Sequence, residues 1–197
     1  MKSNILQALR TTAVTLALAG IVYPLVVTGL ARVLFPDAAR GSLLRHIDGK
    51  LMGSALIGQS FTSPWYFQGR PSAAGKLGYD GLASGGSNLG PTSAKLRERV
   101  KVDLQRLVHD NPEAPGLVPV ELVTASASGL DPHISPRAAL WQLPRVAHAR
   151  NVAPERIRRV VADLTEGRDL GFLGEPRVNV LLLNLALDRQ FGPVTPR

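Results

Sequence analysis

The sequence predicts a single membrane-spanning helix over residues 11–35, followed by one compact α+β domain over residues 36–197. Residues 1–10 form a short N-terminal segment before the span. Three observations lead to this fold class. The chain of 197 residues has room for one domain and an anchor, residues 11–31 carry no charge, and the remainder alternates short apolar runs with helical periodicity.

The uncharged run lies between Arg10 and Arg32. As a helix it is about 31 Å long, close to the roughly 30 Å of a bilayer's hydrocarbon core. A cleaved signal peptide is the main alternative, but its apolar core is typically about 7–15 residues and ends at small residues. Residues 32–36, Arg-Val-Leu-Phe-Pro, offer no such site. A membrane span is therefore favoured.

Three residues within the span are candidates for docking on a partner: Gly20, Pro24 and Gly29. Proline removes a helical hydrogen bond and can kink the helix, and glycine allows a second helix to come close. Both residue types are also common in membrane helices without any such role. Basic residues flank the two ends of the span equally, so charge alone does not orient the chain.

The domain elements follow from periodicity and from helix-stop residues. Residues 36–92 are rich in Gly, Ser and Pro and predict short strands and ordered turns, with apolar pieces at 55–58 and 65–67. Further along the chain we expect a helix over 93–109, a strand over Val118–Thr124, a helix that Ser135 caps and that is interrupted near Pro144, a helix over Pro154–Glu166 and a last helix over Val178–Gln190.

Composition excludes several classes of function. The net charge is +8, but residues 36–197 account for only +5, and the basic residues are scattered with few aromatic residues between them. We therefore expect no nucleic-acid binding. The chain has no cysteine, which excludes disulfides, iron–sulfur clusters and thiolate zinc. Its four histidines lack metal-ligand spacing, so no metal site is expected.

Two further patterns suggest chemistry without establishing it. Ser126, Ser128, Asp131 and His133 are close in sequence and leave open a membrane-tethered hydrolase, although no G-x-S-x-G turn surrounds either serine. The glycine-rich residues 84–90 could hold an anion with backbone N–H groups, but they lack the Gly-Lys-Ser/Thr ending of a phosphate-binding loop. We identify no catalytic residue.

A set of segments behind the span resembles one family closely. The segments are Gly69–Ala73, Tyr79–Gly81, Ser84–Pro91, Val123–Pro136, Gln142 with Arg145–Arg150, and Gly174–Leu181. In this order they resemble the C subunit of the potassium-transporting Kdp ATPase of bacteria and archaea, the KdpC family. The resemblance extends from the span to about Phe191.

The resemblance implies a non-catalytic accessory subunit of a high-affinity, ATP-driven potassium uptake complex. Its implied partners are a channel-like K⁺-binding subunit, a P-type ATPase subunit and a very small membrane peptide. It also implies a catalytic chaperone that raises the ATP affinity of the ATPase subunit. The implied location is the bacterial plasma membrane, with a single pass, a cytoplasmic N-terminus and an extracytoplasmic domain.

The same resemblance raises a question about ATP. In the family, a glutamine corresponding to Gln142 has been proposed to contact nucleotide, yet an extracytoplasmic domain cannot reach cytoplasmic ATP. No tightly bound cofactor is expected, with ATP possible through the complex. We expect Gln142 to be structural and the coupling to be indirect, with direct nucleotide binding as the alternative. Ser128, Asp131 and His133 are candidate contacts to the channel-like subunit.

Overall fold

A computed structural model describes residues 2–46 and 48–194 of the chain. These residues form two compact units, the first ending at Leu43 and the second beginning at Leu44. The first unit consists mostly of one long helix. The second unit is a mixed domain of helices and small sheets, as the sequence predicts.

The long helix has three parts: α1 over Lys2–Ala17, a π-helical segment over Leu18–Val22, and α2 over Tyr23–Leu34. A short helix, α3, covers Pro36–Ala39. Within Ser3–Leu34 an 18-residue stretch has a mean hydropathy of 2.0, and none of the side chains of Ser3–Leu34 is buried. The prediction of one apolar helix long enough to cross a membrane is confirmed. The helix begins at Lys2, however, before the uncharged run, so residues 2–10 belong to the helix.

The second unit starts with a two-stranded sheet, β1 over Leu43–Arg45 and β2 over Leu51–Ser54. The predicted strands at 55–58 and 65–67 do not form, and both stretches are turns or irregular chain. Helix α4 covers Ala94–Asp110, within one residue of the prediction at each end. Ser93 caps it by accepting from the Leu96 N–H, and Asn111 ends it.

The strand predicted over Val118–Thr124 is wrong. Residues Val120–Leu122 instead form a turn of 3₁₀-helix, in which the Leu122 N–H donates to the Pro119 carbonyl. Pro119 has φ −59° and no N–H, which suits the start of a helical turn. Leu122 and Val123 are both buried, so the apolar run packs into the core without a strand.

Helix α5 covers Pro136–Arg150 without the interruption predicted near Pro144. As predicted, Ser135 caps it by accepting from the Ala138 N–H, with Pro136 in the first turn. A proline inside a helix costs about 3 kcal/mol or more. Eight residues of α5 are buried, and their contacts keep the helix continuous through Pro144: Ala138, Ala139, Trp141, Gln142, Leu143, Val146, Ala147 and Arg150.

A three-stranded antiparallel sheet shortens two of the predicted helices. Its strands are β3 over His133–Ile134, β4 over Thr165–Glu166 and β5 over Arg177–Asn179, in the order β3-β5-β4. Because Thr165 pairs with Val178, α6 covers only Pro154–Asp163 and α7 begins at Val180 and ends at Phe191.

Asn179 marks the change from β5 to α7. Its side-chain oxygen accepts from the Leu182 N–H as the cap of α7, while its amide nitrogen donates to the Ala55 carbonyl. The core lies between α5, α6, α7 and this sheet. Its fully buried members include Phe67, which comes from irregular chain.

Candidate partner-docking surfaces

An irregular segment over residues 64–70 is held against α5 and α7 by side-chain amides. Asn184 of α7 accepts from the Phe67 N–H and donates to the Phe67 carbonyl, both at 2.9 Å. Gln142 of α5 accepts from the Gln68 N–H at 2.8 Å and donates to the Gln68 carbonyl at 3.0 Å. A carboxamide offers one donor and one acceptor group side by side. The two amides thus supply the hydrogen bonds that a neighbouring strand would make.

The amide of Gln142 is fully buried, with 0% exposure. Besides its two bonds to Gln68, its oxygen accepts from Arg145 at 2.9 Å, and its nitrogen donates to the Ala138 carbonyl at 3.4 Å. These four bonds use both lone pairs of the oxygen and both hydrogens of the nitrogen. No donor or acceptor remains free on Gln142 for a nucleotide.

Two arginines of α5 bind the same segment through its carbonyls. Arg145 donates to the carbonyl of Tyr66 and to the side chain of Asn111, and burial lowers the pKa of its guanidinium to about 10. Arg150 donates to the Trp65 carbonyl at 2.7 Å and pairs with Asp188 of α7 at 2.8 Å. This ion pair is almost completely buried, with the two side chains 1% and 5% exposed.

Tyr66 completes this polar core by donating from its hydroxyl to the other Asp188 oxygen, at 2.7 Å. Burial and the neighbouring Asp188 carboxylate raise the pKa of Tyr66 to about 12. The carboxylate of Asp188 therefore receives both a guanidinium and a phenol. Both Asp188 oxygens are bonded to side chains that hold residues 64–70, so this carboxylate is not available to a ligand.

The predicted docking residues Asp131 and His133 form a second cluster with Arg70. Asp131 accepts from Arg70 at 3.2 Å and from the backbone N–H of His133 at 3.0 Å, and the His133 ring lies 3.2 Å away. Burial pushes the pKa of the Asp131 carboxyl upward, but the His133 hydrogen bonds and the Arg70 charge lower it below its usual value. Each of the three side chains is about a quarter exposed.

Ser126 and Ser128 lie on a loop whose hydroxyls support the backbone. Ser126 accepts from the Gly129 N–H at 3.0 Å, and Ser128 accepts from the Leu130 N–H at 3.1 Å. Among the described residues neither hydroxyl is bonded to His133, so the nucleophile–base pair of a hydrolase is not assembled here. Ser128 itself is exposed at the surface of the loop.

The loop that carries Ser126 and Ser128, which we call the serine loop, is hydrogen-bonded to the glycine-rich residues 84–90. The Gly85 N–H and the Ser84 hydroxyl both donate to the Ser128 carbonyl, at 2.8 and 3.0 Å. Gly129 has φ +66°, and a Cβ there would lie 2.6 Å from the Gly85 carbonyl oxygen. Two donors that an anion would need at residues 84–90 are therefore already bonded to protein.

A cleft of about 360 Å³ lies between residues 59–79 and α4. It contains two guanidinium groups, those of Arg70 and Arg106. Arg70 pairs with Asp131, while Arg106 lies 3.6 Å from Asp110 and donates to the Gln68 side chain. Both guanidinium groups of the cleft are thus already engaged by side chains of the domain. Within the described part of the chain, no three Asp, Glu or His side chains are grouped to hold a metal ion.

The hairpin between β4 and β5 carries an exposed apolar tip that the sequence analysis missed. Leu170 and Phe172 are 83% and 70% exposed, and reciprocal backbone bonds between Asp169 and Leu173 hold the tip in shape. Ion pairs at its base join Arg177 to Glu166 and Arg168 to Glu175. Large exposed apolar side chains on a braced turn are typical of contact surfaces. The sequence signal was an apolar trio between Gly167 and Gly174.

The docking residues predicted in the span are all exposed along the helix. A Cβ placed on Gly20 or Gly29 would meet no atom within 4 Å, and Pro24 is the second residue of α2, just after the π-helical segment. The structure thus places the predicted residues at two distinct surfaces. Gly20, Pro24 and Gly29 lie in the first unit, and Ser128, Asp131 and His133 lie around the serine loop of the second.

Comparison with known proteins identifies relatives along almost the whole chain. The sequence profile of one family, described as "KdpC: K+-transporting ATPase, c chain", matches residues 5–189. A protein of Myxococcus xanthus named "Potassium-transporting ATPase KdpC subunit" is 63% identical over 98% of this chain and 92% of its own length. A protein with the same name from Methylobacterium nodulans is 57% identical over 95% of this chain and 99% of its own length. Another, from Koribacter versatilis, is 52% identical over the full length of both chains.

Replacing Gln142 with alanine is expected to destabilise the domain by about 2–4 kcal/mol, because the part-buried N–H and carbonyl of Gln68 lose their partners. Chemical denaturation of the full chain in detergent, followed by tryptophan fluorescence, measures the effect. The exposed Arg137→Ala on the same helix is the control and should change stability by less than about 0.5 kcal/mol. Equal stability of the two variants would show that residues 64–70 do not depend on this amide.

Replacing Asp131 with asparagine is expected to lower stability at neutral pH and to have less effect in acid. Since the folded-state pKa of Asp131 is depressed, its stabilising contribution is present above about pH 4 and is lost as the pH falls through the folded value. The free energies of unfolding of the wild type and the variant should therefore converge below the folded-state pKa of Asp131. The exposed Asp163→Asn serves as the control. A gap that stays constant with pH would contradict the assignment.

Proposed function

Because the chain belongs to the KdpC family and is a subunit of a K⁺-transporting ATPase complex, we propose that it is the non-catalytic accessory subunit of that complex. In this role it brings together the channel-like K⁺-binding subunit, the P-type ATPase subunit and the small membrane peptide. It also acts as a catalytic chaperone that raises the ATP affinity of the ATPase subunit. Catalysis itself belongs to the ATPase subunit.

One observation carries the non-catalytic role: the polar groups that sequence patterns suggested for chemistry are bonded within the domain. Gln142 makes four hydrogen bonds, both serine hydroxyls accept from backbone, and Arg70 is paired with Asp131. An active site keeps a nucleophile, base or cation available to its substrate. A domain that uses these groups for its own structure suits assembly better than reaction.

The uncovered apolar helix supports a membrane location, which we propose as single-pass in the bacterial plasma membrane. We further propose that the N-terminus is cytoplasmic and that the domain is extracytoplasmic, next to the channel-like subunit. The serine loop with Asp131 and His133, and the apolar tip at Leu170 and Phe172, are the surfaces through which the domain would contact it.

In this arrangement the effect on ATP must be indirect. An extracytoplasmic domain and cytoplasmic ATP are separated by the bilayer, so the influence is a coupling free energy between subunits. Such couplings are typically about 1–3 kcal/mol, which corresponds to roughly 5- to 150-fold in affinity. The bonded state of Gln142 favours this indirect coupling over direct nucleotide contact by that residue.

The orientation can be measured in intact cells, because the chain has no native cysteine. A single cysteine in place of Leu82, which is fully exposed in the domain, is expected to react with a membrane-impermeant maleimide. A cysteine in place of Ser3 is expected to react only after the cells are opened. Labelling of Ser3→Cys but not Leu82→Cys in intact cells would reverse the proposed orientation.

The chaperone role predicts that the complex purified without this chain needs about 5- to 150-fold more ATP for half-maximal K⁺-stimulated hydrolysis. Adding back the full chain should restore the affinity. Isothermal titration of the chain alone with ATP is expected to show no binding in the micromolar range. Tight binding by the isolated chain, abolished by substitutions in the 84–90 loop, would favour a direct nucleotide-binding regulator. An unchanged ATP requirement would refute the chaperone role.

A further inference from the structure

The π-helical segment and Pro24 leave two backbone carbonyls of the span, those of Ala19 and Gly20, without the donor four residues ahead. In an α-helix the Ala19 carbonyl would accept from Tyr23, but the Tyr23 N–H donates to Leu18 instead. The next residue along, Pro24, has no N–H to donate. The Ala19 carbonyl therefore lacks both the donor four residues ahead and the donor five residues ahead.

In a membrane this carbonyl lies where water cannot reach it. The uncharged run over residues 11–31 is centred on residue 21, so Ala19 is about 3 Å from the middle of the span. An unsatisfied backbone group in the hydrocarbon region is strongly unfavourable. Ala19 is exposed on the helix surface, so a donor from outside the chain can reach it.

The same side of the helix carries hydroxyl groups. A shallow groove is lined by Thr11, Thr12, Thr15, Leu16 and Ala19. Thr15 donates to the Thr11 carbonyl at 2.8 Å, which leaves its lone pairs free to accept. Within the described residues, the Thr11 and Thr12 hydroxyls have no partner. The groove extends about 12 Å, or two helical turns, and we name it the threonine stripe.

We infer that the threonine stripe, with the free Ala19 carbonyl, is the docking face for a transmembrane helix of another subunit, and that this helix places a hydroxyl or amide donor opposite Ala19. The inference rests on the proposed function, since it requires a membrane and partner subunits. Gly20 beside Ala19 leaves open space for close approach. Hydrogen bonds between helices then satisfy groups that neither lipid nor water can satisfy at this depth.

A second copy of this chain fits the face poorly. Two copies inserted in the same direction and related by a two-fold axis along the membrane normal place each residue at the depth of its own copy. The Ala19 carbonyl would then face another acceptor, with the Thr15 hydroxyls about 6 Å away in depth. A different helix, with its donor at the right depth, is the occupant that the chemistry requires.

The test compares variants of the full chain expressed with the other subunits of the complex. Thr12→Val removes a hydroxyl from the threonine stripe with little change of shape, and Thr12→Ser restores it. Thr28→Val, which lies beyond the π-helical segment and outside the threonine stripe, is the matched control. Pro24→Ala supplies an N–H and lets the helix return to α-helical bonding, so that Tyr23 bonds to Ala19 internally.

We expect Thr12→Val and Pro24→Ala each to weaken association about 3- to 20-fold, the range of interhelical hydrogen bonds in membranes. Thr12→Ser and Thr28→Val should associate like wild type. Association is measured as the fraction of chain that co-purifies with a tagged ATPase subunit over a detergent series, and carbonate-resistant membrane pelleting checks insertion. If Pro24→Ala fails to insert, the comparison of Thr12→Val with Thr12→Ser decides the question.

Three outcomes would overturn the inference. Thr12→Val and Pro24→Ala could both associate with the complex as tightly as Thr28→Val. Alternatively, Thr12→Ser could associate as weakly as Thr12→Val. The variants could also lose self-association while the complex remains intact, which would make a second copy the occupant. Failure of the wild-type chain itself to co-purify would instead count against the proposed function.

Discussion

The backbone of residues 64–70 crosses α5 and α7 without a neighbouring strand, and the hydrogen bonds it needs come from side chains. Buried N–H and carbonyl groups are rarely left unpaired, since each unmade bond costs about 1–3 kcal/mol. Gln142 and Asn184 serve the N–H and carbonyl groups of two successive residues, Phe67 and Gln68. This arrangement lets Phe67 enter the core although it lies in irregular chain.

The same constraint accounts for the buried charges of the domain. Arg145 and Arg150 reach carbonyls that the two amides do not serve, and Asp188 balances Arg150. A buried ion pair is a costly way to gain stability, but it fixes geometry when the hydrogen bonds around it are complete. The result is a domain whose interior polar groups specify the path of residues 64–70.

Local signals in the sequence were sufficient for features that depend on local physics. The uncharged run identified the long apolar helix, and Ser135 marked the start of α5, because capping involves residues only three apart. The errors have non-local causes. The start of α7 depends on pairing between Ile134 and Val178, and the continuity of α5 through Pro144 depends on packing around it.

For the candidate site too, the sequence revealed residues that are neighbours along the chain but not their distant partners. The family resemblance singled out Gln142, and we expected it to be structural. Its contacts were not predictable, since its partner Gln68 is 74 residues away. The sequence singled out Ser128, Asp131 and His133 as neighbours in sequence, but Arg70, which pairs with Asp131, comes from a distant loop. The apolar tip at Leu170 and Phe172 was missed because a short apolar stretch reads as core unless the hairpin that exposes it is known.

The two units deal with the same constraint in opposite ways. In the domain, backbone groups without a secondary-structure partner are satisfied by side chains such as Gln142 and Asn184. In the span, the Ala19 carbonyl has lost its helical donors to a π-helical turn and a proline, and water is absent from the middle of a bilayer. A domain can satisfy its backbone hydrogen bonds by itself, but a membrane helix with an unpaired carbonyl needs a donor from another helix. In the proposed membrane setting Pro24 matters because it has no N–H, and so it leaves an acceptor that a partner helix can satisfy.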